Sequence, residues 1–306
     1  YPAGITGCKL PYGFSNECHA YGCRYCRLLH ICEALKNGAS LVMRTWVRNT
    51  PAAIYLLVVL AFIYLPVVVL VLFSFQDGPL PVPPFNGPSL HWYEKMFGNE
   101  RLIASLINSV VVAILSAVVT TFLGFLAAYG MARRTPRFAG GIRFSLMAPL
   151  TVSYLIIGIG LLITLNIVGI SKSLFAVGIG HVVINLPLCF AIIYSQFGDH
   201  TRNIDDAARD LGASDFQTLL HVIAHVMKPS LFASFCLSAT LSWDEFIIAF
   251  LLSRFDVTLP VIIFEMLRSG LTPEVNAAGT LVFAISVTTV IAAAITVSAL
   301  TSGRKK

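Results

Sequence analysis

The sequence predicts an all-α protein: a polytopic membrane bundle of six transmembrane helices with a cytoplasmic loop that is itself helical. Three observations carry this expectation. Of 306 residues, 57% are hydrophobic and only 12% charged, against roughly 45–50% and about 25% in a soluble domain, and the mean hydropathy is +0.80. Apolar segments recur that match the about 20 residues of helix needed to cross roughly 30 Å of hydrocarbon. Lys and Arg gather in alternate connections between those segments. A soluble enzyme, a disordered chain and a nucleic-acid-binding domain are thereby excluded, despite a pI of about 9.0 and a formal net charge of +6.

Residues 1–42 stand apart. They show no periodicity and hold five of the seven cysteines: Cys8, Cys18, Cys23, Cys26 and Cys32. Cys23-x-x-Cys26 with His19 and His30 has part of a zinc spacing, but a second well-spaced pair is missing, so no metal is expected. Met43, followed at once by Arg44, Arg48 and an apolar run, reads as a natural start. The Cys-rich segment before it then reads as upstream or artefactual sequence, and 43–306 as one transmembrane domain.

The expected spans are 52–75, 102–131, 142–168, 174–197, 230–253 and 277–301. Several interiors hold Pro or Gly: Pro66, Gly124, Pro149, Gly158, Gly160 and Pro187. Neighbouring helices re-satisfy carbonyls freed by proline, and small residues let backbones approach, so packing and kinking explain most of these. With the N-terminus inside, the inner connections carry Arg44, Arg48, Arg133, Arg134, Arg137, Arg143, Arg202, Arg209, Lys228, Arg304, Lys305 and Lys306. The outer ones carry Lys95, Arg101, Lys172, Arg254 and Arg268. Positive flanks resist translocation, so both termini are expected in the cytoplasm of a multi-pass inner-membrane protein.

The inner connection 198–229 is too polar to span and too patterned to be slack. Asn203 followed by Asp206 suggests a capped start to a helix over 204–211, where free N–H groups favour a carboxylate. Gly212 supplies the left-handed residue that ends it. Ser214-x-x-Gln217 then has the spacing of a capping box. The second helix is expected to carry Phe216, Leu219, Leu220 and Ile223 on one face.

Asp206-Ala207-Ala208, three residues, Gly212-Ala213 and a stretch closing at Pro229 resemble the EAA signature of permease subunits of type I ABC importers. The resemblance implies that this loop forms the coupling helices seated in a groove of a cytoplasmic ATPase dimer. Asp206, Ala207, Ala208, Gly212, Ala213, Phe216 and Leu219 would then be the ATPase-coupling residues. Asp206 stands where Glu is usual, and accepts the same charge-assisted hydrogen bonds. His225 stands where the signature has its first proline, which predicts a second helix running more continuously into the fifth span. Leu241-Ser-Trp-Asp-Glu-Phe246, Thr258-Leu-Pro-Val261 and Ser269-Gly-Leu-Thr-Pro-Glu-Val-Asn-Ala277 narrow the likeness. They are similar to spermidine/putrescine permeases of the PotC type, which implies a PotB-like second permease and a periplasmic substrate-binding protein as further partners.

Asp244 and Glu245 fall about 14 residues into the fifth apolar segment, where a carboxylate costs several kcal/mol unless it faces water or a partner. A polyamine carries ammonium groups along an apolar chain, so carboxylates would bind its charges while Trp243 would stack on its methylenes. Asp244, Glu245 and Trp243 are the candidate substrate residues, although successive positions about 100° apart do not both point at one lumen. A structural ion pair and simple packing are the alternative roles. His181 and Asn185 either line the pathway or bond to a neighbouring helix. Glu265 suits a pore mouth or a solvated rim, and Pro81, Pro83, Pro84 and Pro88 stiffen the first outer loop.

The sequence has no G-x-x-x-x-G-K-[ST], H-E-x-x-H or G-x-S-x-G. A transport permease without cofactor or catalytic residues is expected, its energy arriving from a separate ATPase. A permease for another small solute and an ion-coupled carrier using Asp244 or Glu245 are the alternatives.

Overall fold

The computed structural model describes residues 50–133, 138–270 and 272–302. The segment 1–42, the start at Met43, the turn 134–137 and the terminal Arg304, Lys305 and Lys306 lie outside the described residues. The chain forms two compact units, Tyr1–Val68 and Val69–Lys306. In the first, the described residues belong to α1 (Thr50–Phe73), which continues through Pro66. None of its most apolar window is buried, as befits side chains that face lipid.

The second unit is helical, with one isolated bridge between Gln76 and Pro88 and no strand among the described residues. A short helix α2 (His91–Gly98) leads into α3 (Glu100–Arg133). At 34 residues, α3 is about 51 Å long and outruns an apolar layer of about 30 Å, so its Glu100 and Arg133 ends both reach polar surroundings. Its buried face includes Ser105, Ser109, Ala113, Ser116, Ala117, Thr120, Gly124 and Ala128. These recur at intervals of three and four, which makes one continuous stripe of small side chains along the helix. Against that stripe pack α6 (Leu174–Tyr194) and α9 (Lys228–Trp243), close approach supplying the van der Waals contact that lipid cannot replace.

Two predicted spans are broken. The segment expected as one helix over 142–168 is α4 (Ala139–Met147), a 3₁₀ turn at Ala148–Thr151, and α5 (Tyr154–Ile167). The two helices are bent by 108°. Pro149 lies in the turn and lacks the N–H that a continuous helix needs, while Val152 and Ser153 are extended. The segment expected over 230–253 is α9 followed, after a break at 244–246, by α10 (Ile247–Leu252). Its carboxylates therefore do not interrupt a helix; they sit where one ends. Counting α4 with α5 as one crossing, and α9 with the helix Asp215–Val226 before it as another, the described residues hold up to six candidate spans by length and composition.

The chain continues through α11 (Leu259–Ser269) to α12 (Pro273–Ser302). Opposite the Arg133 end of α3, two ion pairs tie these helices to the start of the bundle: Arg101–Glu265 at 2.8 Å and Lys95–Glu274 at 3.3 Å. Glu265 is thus a rim residue with a partner. Two apolar clusters fill the interior. One joins Leu102, Val177, Trp243, Ile248 and Leu259; the other, beneath the 198–229 loop, joins Phe125, Phe190, Ile193, Ile223 and Met227.

Candidate functional site

Two places hold the predicted site residues, one at each end of α9. The first is the loop. Its leading helix α7 spans Asp199–Asp210, a turn and more longer than expected, and is capped by extended Gly198 rather than by Asn203. Glycine is an acceptable N-cap, and its presence moves the start upstream. Gly212 ends the helix at φ +86°. Ser214 and Gln217 form the capping box: Gln217 N–H donates to Ser214 Oγ at 3.4 Å, and Ser214 N–H donates to Gln217 Oε1 at 3.0 Å.

The second helix, α8 (Asp215–Val226), departs from expectation in its middle. Thr218–Ile223 is a π-helical stretch, which widens the turn and rotates the residues after it. The four apolar side chains therefore do not share one face. Ile223 is fully buried and Leu219 packs beside it, whereas Phe216 and Leu220 are 69% and 52% exposed. Nor does α8 run on into α9. The two are bent by 77°, with Pro229 in the first turn of α9 blocking continuation despite His225.

A polar network ties this pair of helices to α3. Tyr129 Oη donates to Asp205 Oδ1 at 3.0 Å, and Arg133 Nη1 donates to Tyr129 Oη at 3.3 Å. Arg209 lies 3.4 Å from Asp205 and 3.0 Å from Asp215, and Arg133 pairs with Asp215 as well. The Arg209 contacts are ion pairs by proximity, without hydrogen-bond alignment. The acid that anchors the loop is thus Asp205, which is buried. Asp206, exposed and without an ion pair among the described residues, lines a small cavity with Arg133, Arg202, Asp205 and Arg209, and Ala207 is exposed as well. Ala208 and Ala213 are half-buried, and Gly212 is exposed. The i,i+4 spacing of Asp205 and Arg209 was readable in the sequence. Their partnership with Tyr129, Arg133 and Asp215 was not, because it joins residues far apart in the chain.

The second place is the break at the far end of α9. That helix has 16 residues, about 24 Å, which is shorter than an apolar layer of about 30 Å. Glu245 Oε1 accepts from Ile248 N–H at 2.9 Å and caps the start of α10. Asp244 is exposed and has no ion pair among the described residues. Trp243 is 7% exposed and packs in the larger apolar cluster. The three predicted residues are adjacent in sequence and in different environments.

His181 and Asn185 are buried on α6. The His181 Nδ1 atom shares a 2.5 Å hydrogen bond with Ser242 Oγ, which is 2.9 Å from Ser116 Oγ, so this histidine bonds across three helices. Among the described residues no group of His, Cys, Asp and Glu is arranged to hold a metal.

A bundle of apolar helices, with one of them broken at a pair of carboxylates and a helical pair clamped to one end, defines a polytopic membrane permease. No family model matches the sequence. The chain is 30% identical over 249 residues to the spermidine/putrescine transport system permease protein PotC of Haemophilus influenzae, covering 81% of this chain and 95% of that protein. It is 29% identical over 245 residues to the putrescine transport system permease protein PotI of Escherichia coli K12, covering 77% and 86%. Its fold is that of a chain in the crystal structure of a bacterial alginate ABC transporter in complex with its pentasaccharide-bound periplasmic protein. There the TM-score is 0.64 at 14% identity, over 83% of this chain and 94% of that one. The chain belongs to the PotC family of transport permease proteins. It is a multi-pass inner-membrane transport subunit, not an enzyme.

Proposed function

We infer that this chain, through its 43–306 domain, translocates polyamines by alternating access, driven by a separate ATPase dimer that engages α7 and α8. The observation that carries the substrate is Asp244, an exposed carboxylate at the break that ends α9, in a chain similar to permeases named for spermidine and putrescine transport. An ionised Asp at mid-membrane costs about 2.5–3.5 kcal/mol on insertion scales, a penalty relieved by water or by a cation. Asp244 is the free carboxylate of the pair and would take an ammonium group. Glu245 holds α10 in place and would contribute charge at short range. Trp243, being buried, would shape the site by packing.

The loop suits coupling. Asp206, Ala207, Leu211, Phe216 and Leu220 are all exposed, which gives this loop mixed acidic and apolar character for a partner groove. Leu219 and Ile223 pass displacement of that surface into the cluster beneath, and the Asp205 network passes it into α3. Closure of the ATPase would rotate the bundle and open the Asp244 break outward, and reopening would reverse it. A PotB-like second permease and a periplasmic binding protein complete the assembly in membrane lipid. The Lys and Arg distribution supports a cytoplasmic loop and cytoplasmic termini.

The test is Asp244→Asn in the assembled transporter. Loss of polyamine uptake and of polyamine-stimulated ATP hydrolysis, with basal hydrolysis retained, is the expected result. Unchanged values of both would remove the cation site. Uptake by vesicles holding the purified chain alone would refute the coupling and point to an ion-coupled carrier.

A further inference from the structure

Two residues after Asp244, Phe246 closes the Leu241–Phe246 motif and joins a group of aromatic rings whose other members the motif does not contain. Phe246 stacks with Phe250 of α10 at a centroid distance of 5.4 Å and meets Phe264 of α11 at 4.9 Å. The Phe250 and Phe264 rings stand edge to face at 5.7 Å. The cluster is only partly covered: Phe250 is 44% exposed, and Phe246 and Phe264 are half-buried.

Ordinary apolar packing brings rings together, and two further observations separate this cluster from it. The Arg268 guanidinium, one turn further along the same helix, lies 5.9 Å from the Phe264 ring centroid, so one ring of the cluster already carries a cation on its π-face. Arg268 has no ion pair among the described residues, and Glu265, one turn before it, is engaged by Arg101 at 2.8 Å. The second observation is position. Asp244, the free carboxylate, is within two residues of Phe246 at the same break. A carboxylate next to partly exposed rings offers both halves of what a flexible polycation presents: an ion pair for one ammonium, and apolar or π-faces for the methylenes and the next ammonium.

We propose that Phe246, Phe250 and Phe264 form an aromatic wall that, with Asp244, holds a linear aliphatic polyamine and sets its selectivity, Arg268 occupying the wall when substrate is absent. The proposal rests on the polyamine reading above and extends it to side chains outside the Trp243–Glu245 stretch. Rings discriminate by the length and charge spacing of the aliphatic chain, which one carboxylate alone does not.

The experiment uses the assembled transporter with its ATPase, companion permease and binding protein, reconstituted in liposomes. The concentration giving half-maximal uptake is measured for putrescine and spermidine. Phe250→Leu and Phe264→Leu keep apolar bulk and remove the π-face; each is expected to raise that concentration between about twofold and thirtyfold, more for spermidine than for putrescine. Arg268→Gln, which removes the resident cation, is expected to lower it. Should a leucine variant fail to assemble, stepwise fluorination of the Phe250 ring drains π-density at nearly constant shape, and half-saturation should climb with each fluorine. Flat values across the leucine or fluorinated series, with Asp244→Asn still inactive, overturn the wall and leave the acidic site standing. Flat values together with an active Asp244→Asn overturn both.

Discussion

Replacing Asp205 by Asn tests whether the loop is held by the buried network or by the exposed acid beside it. In the structure Asp205 accepts from Tyr129 at 3.0 Å and sits 3.4 Å from Arg209, its side chain 11% exposed. A hydrogen bond to a charged acceptor contributes about 1.5–3 kcal/mol, and a partly exposed i,i+4 ion pair about 0.3–0.5 kcal/mol. The amide retains one acceptor oxygen, so part of the first contribution survives. A loss of about 1–3 kcal/mol is expected. The assay is reversible unfolding of the purified chain in mixed micelles titrated with SDS, run as a double-mutant cycle with Tyr129→Phe. A coupling of at least about 0.5 kcal/mol is expected for groups in direct contact. Asp206→Asn, at an exposed position, should change stability by less than about 0.5 kcal/mol, yet weaken retention of the ATPase on purification. Additive single variants, or an Asp205→Asn chain as stable as the parent, would refute the network as the anchor.

Other outcomes follow from packing and backbone geometry. A Cβ at Gly180 would lie 2.4 Å from Ile248 Cγ2 and 3.0 Å from Leu252 Cδ1, both on fully buried side chains, so Gly180→Ala should cost about 1–3 kcal/mol in the same titration. Gly178, on the same helix with nothing within 4 Å of its added Cβ, should accept Ala with no loss. At Gly212 there is open space but φ is +86°. Ala there should strain the turn by about 1–2 kcal/mol and uncouple ATP hydrolysis from uptake, with Asn tolerated better. Asp244→Asn should abolish polyamine stimulation while leaving the SDS midpoint close to the parent's.

The loop shows how far local rules reach. The capping box at Ser214 and Gln217 and the left-handed Gly212 were legible because each depends on residues within one turn. The start of α7 was not, because Gly198 is a weaker signal than Asn203 and yet takes the cap. A 3.6-residue period puts Phe216 and Ile223 on one face, but the π-helical stretch Thr218–Ile223 leaves the first outward and the second inward. At Asp244 to Phe246 neither Pro nor Gly marks the break, and the device that restarts the helix is Glu245 accepting from Ile248, an unusual residue in that role.

The amino-acid sequence by itself determined that this chain lives in a bilayer, which stretches are apolar enough to enter it, and which connection is built as paired helices. Those properties follow from summed hydropathy, charge bias and short-range capping, all additive along the chain. Only the tertiary structure decided that Asp205 rather than Asp206 anchors the loop, that Trp243 is buried while Asp244 is open, and that Phe246 at the break meets one phenylalanine from each of α10 and α11. Such choices depend on which distant surfaces pack together, and a linear pattern holds no record of neighbours brought close by folding.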